Sequence, residues 1–69
     1  MLCHEDDKKW ILEQIRKVPA QDHADVVAGY GQLYQAAYDA EPLDHKKENK
    51  ARFTANSRLR KYVGLIGKT

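Results

Sequence analysis

The sequence predicts an all-α fold, a small three-helix bundle with antiparallel neighbours joined by short turns. Three observations predict it. Apolar residues recur at spacings of three and four in three successive segments, proline stands in each of two gaps between them, and no segment shows the two-residue alternation of a strand. The 69 residues are read as one domain spanning 1–69, with helices at about 5–18, 22–40 and 44–64.

The first helix starts among Glu5, Asp6 and Asp7, whose negative charges suit the electropositive end of a helix, and Pro19 stops it. At about 100° per residue Ile11, Ile15 and Val18 share a stripe with Leu12 at its edge, and Trp10 falls off it and needs cover elsewhere.

Asp22 is the expected cap of the second helix, since its carboxylate can accept from unpaired backbone amides. Val26, Val27, Tyr30, Leu33, Tyr34, Ala37 and Tyr38 form the clearest amphipathic face in the chain, opposite Asp25, Gln32, Gln35 and Asp39. Gly29 and Gly31 each cost a helix up to about 1 kcal/mol relative to alanine, so close approach of a neighbouring helix is expected there. Gly29-Tyr30-Gly31 is not a dinucleotide loop, because it lacks a third glycine and a preceding strand.

Glu41-Pro42-Leu43 breaks the second helix and Asp44 is placed to cap the third. Ala51, Ala55, Leu59, Tyr62, Val63 and Ile66 share its inner face, and Gly64 and Gly67 predict fraying before Thr69. The tyrosine-rich second helix is expected to lie between the other two.

Charge is divided along the chain. Eight basic residues from Lys46 onward face Glu48 alone, which leaves that stretch at +7 and residues 1–45 at −5, within a net charge of +2. Such a split suits an interaction with nucleic acid or an acidic partner, or one helix complementing its neighbours. Lys46, Lys50, Arg60 and Lys61 fall on one outward strip of the third helix, with Lys47 and Arg58 at one flank, Arg52 near the other boundary and Phe53 projecting into it. Cations on a helix contact phosphates and an exposed aromatic stacks on a base or fills a partner's pocket, so these eight residues are the candidate site for DNA or RNA. The competing reading is a solvated outer face, with some cations paired to acids of the first two helices and Phe53 folded over Trp10. Arg52, Asn56 and Arg60 recur every four residues along a flank, with side chains suited to base edges. The Glu41–Asp44 turn permits a helix-turn-helix without compelling it.

A second functional class is a protein-interaction module. Trp10, Tyr30, Tyr34 and Tyr38 are its candidate surface, for a host protein or a second copy in a homodimer. Core packing is the default for the tyrosine stripe. No catalytic residue, metal ligand or cofactor is expected. Cys3, His4, His23 and His45 lack zinc-knuckle spacing, and the carboxylates gather at helix ends. A single cysteine, no leader-like start and no apolar run of membrane length lead to a cytoplasmic, non-membrane assignment and a non-enzymatic role.

Tyr34, Tyr38, Glu41-Pro42, Glu48-Asn49, Ala51-Arg52, Ala55-Asn56 and Leu59-Arg60 resemble short uncharacterised proteins encoded in bacteriophage and prophage early regions. The resemblance covers the last half of the chain. It implies a small accessory or regulatory protein and carries no catalytic residue across.

Overall fold

A computed structural model describes residues 3–67. The protein is a small all-α bundle of three helices: α1 (Lys8–Arg16), α2 (His23–Ala40) and α3 (Asp44–Gly67). Single 3-10 turns, Glu5–Asp7 and Ala20–Asp22, lead into α1 and α2. The first predicted helix is thus shorter than 5–18. His4 Nδ1 accepts from the Asp6 amide to start the leading turn, and Pro19 in extended conformation separates Val18 from the next one.

The chain runs up, down and up. Asp7 meets Arg52 and Asn56, and Trp10 meets Arg60, so α1 runs parallel to α3. Tyr30 meets Asn56 while Lys47 reaches the carbonyls of Tyr38 and Glu41, so α2 runs antiparallel to α3. The helix on which both others pack is α3, a correction to the expected central α2. Its Ala51 and Ala55 are fully buried, and side chains that small let α1 and α2 come close on adjoining flanks.

One core cluster joins the three helices. It comprises Ile11, Ile15 and Val18 from the α1 end, Tyr30 and Tyr34 from α2, and Ala51, Ala55, Leu59 and Val63 from α3. Ile11 is its one large side chain removed wholly from solvent. The tyrosine rings of the stripe stack in series, with centroids 6.4 Å apart for Tyr30 and Tyr34 and 6.5 Å for Tyr34 and Tyr38.

Three local expectations are corrected. Asp22 precedes α2 in αR conformation and makes no capping hydrogen bond with its side chain, because the 3-10 turn already supplies the entry geometry. α3 continues past residue 64 to Gly67, since Val63 and Ile66 pack on the core and outweigh the cost of about 1 kcal/mol for an interior glycine. Gly29 does not mark a close approach, because a Cβ built there meets nothing within 4 Å.

Candidate nucleic-acid interface

The eight side chains assigned to the third helix separate into two groups. Three of them have partners within the chain. Arg52 holds the Asp7 carboxylate with two hydrogen bonds, Nε to Oδ2 at 2.8 Å and Nη2 to Oδ1 at 3.0 Å. Lys47 turns back to the end of α2, donating to the carbonyls of Tyr38 and Glu41 with its amine 5.6 Å from the Tyr38 ring centre. That position satisfies carbonyls left open where α2 ends and places a cation at the negative pole of the helix. Arg60 lies over Trp10, its guanidinium carbon 5.3 Å from the indole centre.

Arg60 is thus the cover that Trp10 required, and Phe53 is not. The flank of Arg52, Asn56 and Arg60, read from spacing as a row of base-binding groups, is the seam along which α1 is fastened. Asn56 Nδ2 donates to Asp7 Oδ2 at 2.9 Å, and Tyr30 donates its hydroxyl proton to Asn56 Oδ1 at 2.5 Å. His4 adds a contact to Glu48 at the same seam.

The electrostatics of the seam follow from that geometry. The Arg52 guanidinium and the Asn56 amide hold the Asp7 carboxyl below its ordinary range, against a smaller opposing effect of burial. Removal from water pushes the Tyr30 and Tyr34 hydroxyls up from their ordinary value. The structure buries Tyr30 and Tyr34 in the core, half-buries Trp10 under Arg60 and leaves Tyr38 partly exposed beside Lys47. Of the four aromatics weighed as an interaction surface, Tyr30 and Tyr34 are withdrawn from it, because their rings fill the space between α2 and α3.

The other group is Lys46, Lys50, Phe53, Arg58 and Lys61. All are exposed, and among the described residues none of the four cations has a carboxylate within ion-pair distance. Phe53 is 70% exposed. Lys46, Lys50, Phe53 and Lys61 share the outer side of α3, and the sixteen residues from Lys46 to Lys61 span about 22 Å at the helical rise. Arg58 belongs to a different margin, where it lines a groove between α2 and α3 with Leu59 and Tyr62. Arg58 also borders, with Leu33 of α2, the shallow hollow that Phe53, Thr54, Ser57 and Lys61 line.

Neither α2 nor α3 nor any other described helix is long and apolar enough to cross a membrane. His4 and His23 are engaged with backbone, His4 at the Asp6 amide and His23 Nε2 at 2.7 Å from the Val18 carbonyl oxygen. Cys3 packs partly buried against the core. Sequence reasoning missed the Asp7–Arg52–Asn56–Tyr30 network. The spacing of Arg52 and Asn56 was its one visible trace, and nothing local distinguishes a row facing α1 from a row facing a ligand. No protein-family model matches the chain, and no curated protein or solved structure matches it either.

Proposed function

We propose that this chain is a non-enzymatic accessory protein of the phage type, cytoplasmic, that binds single-stranded nucleic acid along the outer strip of α3. Lys46, Lys50 and Lys61 neutralise backbone phosphates and Phe53 stacks on a base. The observation that carries this reading is Phe53, 70% exposed among lysines that have no carboxylate partner among the described residues. Single exposed apolar side chains are ordinary on protein surfaces. An aromatic ring set among unpaired cations supplies the two contacts that sequence-tolerant single-strand binders combine.

A preference for single strands follows from what the seam has taken away. Duplex sequence is read at base edges by polar side chains such as arginine and asparagine, and Arg52 and Asn56 are both held by Asp7. What remains on the strip is charge and a stacking surface. The test is fluorescence anisotropy with labelled single-stranded and duplex oligonucleotides over a series of salt concentrations. Three neutralised phosphates predict a slope of about −2 in log K against log salt for the single strand. Phe53→Ala is expected to weaken single-strand binding by about 1–3 kcal/mol, and Phe53→Trp to preserve it. Binding that ignores salt, or that Phe53→Ala leaves unchanged, overturns the reading.

A further inference from the structure

The groove that contains Arg58 is a second surface, on the other side of α3. Arg58 stands two residues from both Asn56 and Arg60, which meet α1. At about 100° per residue that offset turns it to the opposite side of the helix. The groove encloses about 610 Å³, with Val26, Leu33 and Ala36 on the α2 wall and Leu59 and Tyr62 on the α3 wall. Gly29 leaves a gap in the α2 wall. One turn beyond Tyr62, Leu65 extends the apolar surface and is 59% exposed. With only nine residues, α1 covers one side of the α2–α3 pair and leaves this side open.

Charge on the two walls is of opposite sign. α2 brings Asp25 to the groove and α3 brings Arg58, while the other α3 cations stand on the outer strip, at the end of α2 or against α1. Asp25 and Arg58 both line the groove, and neither forms an ion pair among the described residues.

We infer that a second copy of this chain occupies the groove, two α2–α3 pairs packing face to face about a two-fold axis parallel to the helices. That axis lays α2 of each protomer antiparallel over α3 of the other, the up-and-down arrangement of a four-helix bundle. It carries each Asp25 toward the partner's Arg58. A two-fold axis perpendicular to the helices would instead lay α3 on α3, cation against cation. Phe53 does not line this groove, although Leu33 and Arg58 of the groove also border the shallow hollow that holds Phe53 and Lys61.

Sedimentation equilibrium from micromolar to millimolar protein tests the inference, with circular dichroism confirming that each variant is helical. The chain is expected to move from its 7.9 kDa monomer mass to twice that mass. Asp25→Arg and Arg58→Asp each place like charges at both contacts and are expected to weaken the dimer about tenfold or more. An equimolar mixture of the two variants restores opposite charges at both contacts and is expected to dimerise more tightly than either alone. Gly29→Arg plugs the groove without removing a core side chain and gives a folded monomer. A monomer at every concentration overturns the inference, and so do charge variants that dimerise like the unmodified chain or a mixture no tighter than its components. Phe53→Ala, which tests nucleic-acid binding, is expected to leave the dimer intact, so the two proposals fail separately.

Discussion

Arg52 and Asp7, 45 residues apart, form a two-pronged ion pair that fastens the entry of α1 to the middle of α3. Asp7 sits at the N-cap of α1 but gives that helix no capping hydrogen bond, and its carboxylate is spent on Arg52 and Asn56 instead. Because Asp7 titrates below the ordinary carboxylate range, it stabilises the folded state fully above the unfolded carboxyl pKa of about 4. That contribution is lost as pH falls through the folded value. Urea unfolding between about pH 6 and about pH 3 is expected to show a steeper acid loss for the unmodified chain than for Asp7→Asn. Equal slopes would mean that the pair contributes nothing measurable.

Tyr30 closes the other end of this network through its bond to Asn56. Tyr30→Phe keeps the ring stacked on Tyr34 and removes only the hydroxyl. The expected loss is about 1 kcal/mol, read from the denaturant midpoint.

Ile11 is the apolar anchor of α1, and α1 is too short to hold a place by itself. Ile11→Ala is expected to cost about 2–5 kcal/mol, enough to unfold much of a chain this small. Thermal unfolding followed by circular dichroism would show a collapse in Tm. A shift of only a degree or two would show that the cavity closes.

Gly64 lies inside α3 with open space where a Cβ would stand. Gly64→Ala is expected to raise stability by about 0.5–1 kcal/mol through the unfolded chain's lower entropy. Differential scanning calorimetry reads the accompanying rise in Tm.

Arg60 discriminates a seam residue from a ligand contact. Arg60→Ala is expected to shift Trp10 fluorescence, to cost about 0.5–1 kcal/mol, and to weaken nucleic-acid binding far less than Phe53→Ala does. A spectrum unchanged by Arg60→Ala would remove the contact with Trp10.

The helices were legible because local periodicity reports them. Ile11, Ile15 and Val18, Tyr30 and Tyr34, and Ala51, Ala55, Leu59 and Val63 are read as inner faces and are buried, whereas Tyr38 and Tyr62, read on the same faces, are exposed at their edges. The candidate strip was legible only in part, since a helical projection ranks residues by angle and cannot tell which neighbour lies at that angle. Lys46, Lys50, Phe53 and Lys61 stand outward, while Lys47, Arg52 and Arg60 meet the end of α2, Asp7 and Trp10.

By itself the sequence determined three amphipathic helices, the breaks at Pro19 and Pro42, and a positive third helix, because each depends on residues within a turn or two of one another. Tertiary structure alone decided that α3 lies against both other helices, that Arg52 and Asn56 close on Asp7, and that a groove opens beside Arg58. Those outcomes depend on how small side chains such as Ala51 and Ala55 let helices approach, and on charges that meet only after the chain has folded back on itself.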